Sequence, residues 1–278
     1  MKVGVISADS GHPLLSATAE VLRGGGHRVA FVGPDGAPVP EPGHPGAEAA
    51  PGPLADVYLL KARTPDALAL AARLEERGAP VVNSAAATAR CQDRVTMAEL
   101  ARAAGLPFAE TVRTATVGAL AAAAPDLRFP LVLKSRHSRR GDLVARVDTA
   151  AELAELAAAW REEPVIVQEF TANSGWDLKL WFVGGQPFAA RRRSELAPGG
   201  RGPNLPLPPA ALPAAWIEGA LHVGEVFGLE VYGVDVLDAG AGAPLIVDIN
   251  AFPGIRGQVG APEALAALAL RRAVSGSA

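Results

Sequence analysis

The chain is poor in cysteine, in lysine and in net charge, and each shortage excludes something. One cysteine, Cys91, among 278 residues leaves no intramolecular disulfide to form, which fits a reducing cytoplasm. A formal net charge of −3 gives no global attraction to nucleic acid or to an anionic membrane. No apolar run reaches the roughly 20 residues that span a bilayer. The opening Met1–Ser7 reads as a strand and lacks the apolar centre of a signal peptide. The 5 histidines are scattered without metal-ligand spacing, and no Ser-His-Asp or Cys-His set stands out.

Lysine is scarce in a telling way. Of the 26 basic residues all are arginines except Lys2, Lys61, Lys134 and Lys179. A lysine inside a strand of such a chain is therefore informative, because its compact charge meets phosphate as a point donor.

Strand and helix alternate through the first third. Lys2–Ile6, Arg28–Gly33, Asp56–Lys61 and Ala79–Asn83 read as strands, and Thr64-Pro65-Asp66 starts a helix with a cap, a proline and an acid in order. This pattern predicts a small parallel-sheet domain over 1–88. The stretch Asp35–Pro53 is rich in Pro, Gly and Ala and reads as a long, mobile surface loop. A second domain over 89–278 opens with a helix at Gln92–Ala104. Pro130–Lys134 is an apolar strand, Ser135–Asp142 a basic polar loop with Gly141 as its only glycine, and Leu143–Val147 a returning strand. Thr149-x-x-Glu152 is a capping box. Leu178–Val183 and Gln186–Arg193 form a hairpin around Gly184-Gly185, and Ala197–Pro209 reads as a loop.

The richest chemistry lies near the C-terminus. Gly233-Val-Asp235-Val-Leu-Asp238 and Pro244-Leu-Ile-Val-Asp248-Ile-Asn250 read as two strands joined by a Gly/Ala turn. Alternation puts Asp248 and Asn250 on one face, where Asp235 can meet them from the neighbouring strand. Two carboxylates and an amide oxygen make an oxygen-rich cage suited to Mg²⁺. Lys134 ends its strand beside a polar loop, where its charge can reach a phosphate. Val165–Phe170 carries Gln168 and Glu169 at the end of an apolar strand, an edge able to hold a purine. Asp177 and Lys179 share a strand face, and Arg191 and Arg193 share one on the hairpin partner; cations facing a metal site can neutralise a transferring phosphoryl group.

Taken in order, Val82-Asn83-Ser84, Gln92-Asp93-Arg94, Pro130–Lys134, Gln168-Glu169-Phe170, Asp177-Leu-Lys179 and Asp248-Ile-Asn250 resemble the ATP-grasp superfamily over about residues 56–260. Within it the chain resembles the branch of ribosomal-protein glutamate ligases and related RimK-like carboxylate–amine ligases. The resemblance implies an α/β fold, α+β in its C-terminal part, with a Rossmann-like domain before the ATP-grasp domain and a lid at about 108–167. It implies that Arg94 and Lys134 contact ATP phosphates, and that Glu169 and the Phe170 backbone hold adenine. Gly141, Gln168 and Asp177 would complete the nucleotide site. Lys179 and Arg192 would act on the γ-phosphate or acyl phosphate, and Asp235, Asp248 and Asn250 would hold two Mg²⁺ ions, with Mn²⁺ as a substitute.

Three departures stand out. Asp248 occupies a place where such ligases usually carry glutamate, the lid loop is basic in place of glycine-rich, and Arg94 stands where lysine is usual. The run Asp248–Gly254 resembles the inositol-trisphosphate kinases, another ATP-grasp branch in which a lysine like Lys61 faces the substrate. That resemblance implies a basic pocket of Lys61, Arg63, Arg136, Arg139 and Arg140 for a polyanion, with Arg191 beside it. The expectation is an ATP- and Mg²⁺-dependent ligase for an anionic small-molecule or peptide substrate, with a small-molecule kinase as the alternative. A homo-oligomer is compatible with it; nucleic acid and membrane are not expected as partners.

Overall fold

The computed structural model of the protein describes residues 1–41, 54–139 and 141–275. Most of the Asp35–Pro53 loop, and Arg140, therefore lie outside the described residues. Among those described, no helix is long and apolar enough to cross a membrane.

The first sheet is parallel, in the order β2-β1-β3-β4. It consists of β1 (Lys2–Ile6), helix α1 (Pro13–Gly24), β2 (Arg28–Val32), β3 (Val57–Leu60), α2 (Pro65–Glu76) and β4 (Val81–Val82). Its strands are apolar on both faces, as parallel strands covered on two sides must be. Thr64 caps α2 by accepting from the Ala67 N–H, with Pro65 behind it, as the sequence pattern requires.

Two short helices follow, α3 (Ala85–Arg90) and α4 (Arg94–Ala103). The single helix read over 92–104 begins two residues late, because Asp93 caps α4 by accepting from the Val95 N–H. Next comes an antiparallel sheet ordered β5-β8-β6-β7. Its elements are β5 (Thr111–Thr116), α5 (Val117–Ala122), β6 (Leu131–Ser135), β7 (Val144–Val147), α6 (Ala150–Trp160) and β8 (Pro164–Glu169). Leu131, Leu133, Val165 and Val167 point into a core with Val117, Leu120 and Leu153. Period-2 alternation turns Val132, Lys134 and Gln168 the other way.

The third sheet, β11-β10-β9-β12-β13, holds the middle of the molecule. It contains β9 (Trp176–Val183), β10 (Gln186–Arg193), β11 (Leu205–Leu207), α7 (Ala214–Phe227), β12 (Val231–Asp238) and β13 (Pro244–Ala251). The edge strand β11 lies inside the stretch read as a plain loop. Leu180, Phe182, Val234, Val236 and Ile249 bury one face of this sheet against α4 and α7. The closing helix α8 (Ala261–Ser275) returns to the first sheet. Leu265, Leu268 and Ala269 share a core with Val3 and Val5 of β1, Leu14 and Leu15 of α1, and Trp181 and Phe188 of the third sheet.

Asn83 ties β4 to β12. Its side chain, 2% exposed as a residue, donates to the Val231 carbonyl at 2.7 Å. It accepts from the N–H groups of Glu230 and Val231 at 2.8 and 2.9 Å. Asn83→Ala takes the acceptor from the Glu230 and Val231 N–H groups, while the Val231 carbonyl keeps the Phe252 N–H, and we expect it to cost about 2 kcal/mol. Urea unfolding checks this: the midpoint should fall with the slope m unchanged.

Candidate active site

Register builds the site. Across the third sheet, Arg192 pairs with Asp177, Asp235 with both Lys179 and Asp248, and Gly233 with Asn250. Paired residues share a face, so the side of the sheet turned away from α7 is charged from edge to edge. It forms one wall of a cavity of about 1110 Å³. The second wall is the small antiparallel sheet, through Val132, Lys134, Val144, Gln168 and Glu169, with Phe170 and Thr171 beyond β8. The third is the C-terminal edge of the parallel sheet, through Asp9, His12, Lys61 and Arg63. That edge is where open parallel sheets bind ligands.

Asp248 is the electrostatic hub. Burial pushes its carboxyl up, but Arg94, Lys134 and Lys179 outweigh this and hold it below the usual carboxylate range. Arg94 lies with Nε 3.6 Å from Asp248 Oδ1, beyond hydrogen-bond reach, and donates from Nη1 to Asp142 and to the Ser135 carbonyl at 2.7 Å each. Asp248 Oδ1 is buried without a hydrogen-bond partner among the described residues. The Asn250 amide donates to Asp248 Oδ2 at 3.3 Å, and Asp235 is ion-paired with Lys179.

Lys134 is held by a defect in the ladder. Asp235 pairs with Asp248 and Val236 with Ile246, so Val247 is skipped. A bulge of this kind leaves its extra residue unpaired. The Val247 carbonyl takes the Lys134 ammonium at 2.6 Å, joining the second sheet to the third. Burial pushes the Lys134 pKa down, and Asp248 and Asp235 oppose that shift. Arg192 lies 3.7 Å from Asp177, both of them buried. At the mouth of the small sheet the Arg146 guanidinium stacks over the Phe170 ring at 3.9 Å.

The structure brings Arg94, Lys134, Gly141, Gln168, Glu169, Phe170, Asp177, Lys179, Arg192, Asp235, Asp248, Asn250, Lys61 and Arg63 to this one cavity. It does not bring Arg191 or Arg136. Arg191 pairs across the hairpin with Leu178, so Arg191 and Arg193 face away from the cavity, and its guanidinium lies 5.1 Å from the Trp176 ring. Arg192, between them, takes the inward place. Arg136 is exposed and forks onto Asp93 at 2.7 Å, while Arg139 lines the cavity but is paired with Glu163 at 2.7 Å. Much of the basic loop is thus neutralised by acids that sequence distance concealed. Residues missed by sequence reasoning are Asp9, His12, Arg201 and Arg256, which lie in loops without periodicity. Cys91 is buried and its thiol is pushed up to about 12, first by burial and then by Asp248, so it is no nucleophile near neutral pH.

The donors suit magnesium: the carboxylates of Asp235 and Asp248, the latter with an orphaned buried oxygen, and the amide of Asn250, all hard ligands. Among the described residues there is no group of three His, Cys, Asp or Glu able to hold a metal by itself. Such a site needs further oxygens from a bound substrate, as Mg²⁺ sites on phosphates usually do.

Solved structures that match this three-sheet arrangement include ATP-grasp proteins. A RimK domain ATP-grasp protein from Sphaerobacter thermophilus matches with a TM-score of 0.74 and 23% identity, over 97% of this chain and 100% of that one. A D-alanine–D-alanine ligase from Bacillus anthracis, complexed with ATP, matches with a TM-score of 0.69 and 14% identity, over 99% and 98%. The fold is therefore ATP-grasp. More narrowly, the RimK-like ATP-grasp domain family matches residues 113–262, over half of the chain, and the protein belongs to that family. Curated relatives include a probable alpha-L-glutamate ligase of Thioalkalivibrio sulfidiphilus, 32% identical over 139 residues, 46% of this chain and 44% of that protein. Another, from Pseudomonas fluorescens, is 28% identical over 203 residues, 66% and 64% of the two chains. The matched region thus spans under half the length of the first of these relatives.

Proposed function

We propose that the protein is an ATP- and Mg²⁺-dependent carboxylate–amine ligase that works through an acyl phosphate. The observation that carries this is the single cavity on which Lys134, Lys179, Arg192, Asp235, Asp248 and Asn250 converge. Family membership and relatives named as ligases support it, and the Cys91 thiol is pushed too high to serve as a nucleophile.

In this reading ATP lies under the small sheet, which acts as a lid. Glu169 and the Phe170 backbone hold adenine, and Gln168 and Gly141 shape the pocket around it. Lys134 and Arg94 neutralise phosphate. Asp235, Asp248 and Asn250 would hold the Mg²⁺, two ions in this reading, which would supply charge neutralisation to the transferring phosphoryl group. A substrate carboxylate oxygen attacks the γ-phosphorus, the bond to the bridging oxygen breaks, and ADP leaves. Lys179 and Arg192, the latter kept in place by Asp177, face the charge that develops on the transferred group. A neutral amine then attacks the acyl carbon and expels inorganic phosphate, leaving an amide. No protein group becomes covalently modified, so positioning supplies most of the rate.

Incubation with ATP, Mg²⁺, pooled carboxylates and hydroxylamine should release ADP and yield a hydroxamate, and pooled amines should yield an amide by mass spectrometry. A phosphorylated product without amide or hydroxamate would replace the ligase with the kinase reading, and no turnover of any kind would leave a nucleotide-binding protein.

A further inference from the structure

The three side chains that offer oxygen to a divalent cation are not equally free. Asp248 keeps Oδ1 without a hydrogen-bond partner. Asn250 donates its amide nitrogen to Asp248 Oδ2 at 3.3 Å, and its amide oxygen accepts no hydrogen bond among the described residues. Asp235 is the exception. Its Oδ2 is ion-paired with the Lys179 ammonium, and the two side chains are 20% and 5% exposed.

Register places this contact at the centre of the site. Asp235 of β12 stands directly opposite Lys179 of β9 on one side and Asp248 of β13 on the other. Side chains paired in this way start only about 5 Å apart. Lys179 also acts on Asp248, after Arg94 and Lys134. Two adjacent carboxylates are thus faced by Arg94, Lys134 and Lys179 before any ligand arrives, which relieves their mutual repulsion. A divalent cation entering alone meets acids that are already neutralised and ammonium groups that repel it. Nucleotide phosphate changes this balance, because it offers Lys179 an anion of its own.

We propose that Lys179 is the internal counter-ion of the metal site: it occupies Asp235 in the empty protein and gives it up when nucleotide phosphate takes the ammonium. The proposal rests on the metal ligands assigned under the ligase reading and adds an order of binding. A divalent cation alone binds weakly, and cation and nucleotide bind with positive coupling, each strengthening the other by the same factor.

The residue type agrees with this role. Lys179 is one of the few lysines in an arginine-rich chain. A single ammonium on a flexible stem can leave one anion for another, whereas the planar fork of an arginine would hold Asp235 through two bonds. Lys134 cannot take the same part, since its ammonium is tied to the Val247 carbonyl across the two sheets.

The test reads metal and nucleotide binding without turnover. Mn²⁺, whose spin-resonance signal falls on binding, is titrated into the full protein alone and with a non-hydrolysable ATP analogue. The analogue is also titrated without metal, so that its own affinity for Mn²⁺ is subtracted. Wild type should bind Mn²⁺ weakly by itself and at least tenfold more tightly once the analogue is present. Lys179→Met should bind Mn²⁺ roughly tenfold or more tightly than wild type in the absence of nucleotide, the worth of one neighbouring cation to a carboxylate. The same variant should lose roughly tenfold in affinity for the metal-free analogue. Lys179→Arg should leave Mn²⁺ binding as weak as in wild type. Lys179→Gln, read beside Lys179→Met, guards against a folding defect in either variant. Adding Asp235→Asn to Lys179→Met should abolish the gain, which places the new affinity at this carboxylate. Unchanged Mn²⁺ affinity in both neutral variants overturns the proposal, and so does a gain that survives Asp235→Asn. The absence of Mn²⁺ binding even with the analogue would instead remove the metal site itself, and the absence of any hydroxamate would remove the ligase reading alone.

Discussion

Asp248→Asn should lower turnover by about 10²–10³-fold while the protein stays folded. The carboxylate is the one group placed against Arg94, Lys134 and Lys179 together, and its buried Oδ1 has no partner to lose. Arg94 keeps Asp142 and Lys179 keeps Asp235 in the variant, so the stability loss should stay within a few degrees of Tm. Steady-state rates at saturating Mg²⁺ and thermal unfolding measure the two effects, and equal losses in both would make Asp248 structural. There is a pH corollary. The folded pKa of Asp248 lies below its unfolded value, so its contribution to stability is present above the ordinary carboxylate range and is lost as pH falls through the depressed folded value. Asp248→Asn should flatten that part of the acid limb.

Lys134→Met should weaken ATP binding by about 10- to 100-fold, the worth of a charge-assisted contact to phosphate in a buried site. Methionine keeps the length and apolar stem of the side chain, so β6 should pack as before. What is lost is the charge and the bond to the Val247 carbonyl. Isothermal titration with ATP and Mg²⁺ decides the matter, and an unchanged dissociation constant would remove Lys134 from the nucleotide site. Because Lys134 also joins two sheets, a slightly lower urea midpoint is expected as well.

Much of this geometry was legible because strands have a period of two. Asp248 and Asn250 had to share a face, and the β12–β13 pairing brings Asp235 onto it. The Thr149 cap was equally readable, although Glu152 reaches back to the Asp148 N–H instead of to that of Thr149. Arg191 was misplaced for a definite reason. Three consecutive arginines end β10, so the run carries no alternation of its own. Its phase is set by the pairing of Arg192 with Asp177 across the hairpin, a register that follows from the Gly184-Gly185 turn and not from the arginines themselves. The bulge at Val247 was invisible for the same cause, since a skipped residue in an apolar strand changes register without changing composition. The arginines of the basic loop looked like free charge because Asp93 and Glu163 lie tens of residues away in the chain. His12 and Arg256 sit in turns, where neither period applies.

The return of α8 to the first sheet bears on how the molecule comes to be made. As the polypeptide emerges from the ribosome, β1 to β4 appear well before α8, with α1 covering only part of one side. Leu265, Leu268 and Ala269, which complete that side, are synthesised only after both other sheets. The parallel sheet must therefore wait with apolar surface open until α8 arrives, and a protein cut short before Ala261 would leave that surface exposed and prone to aggregate.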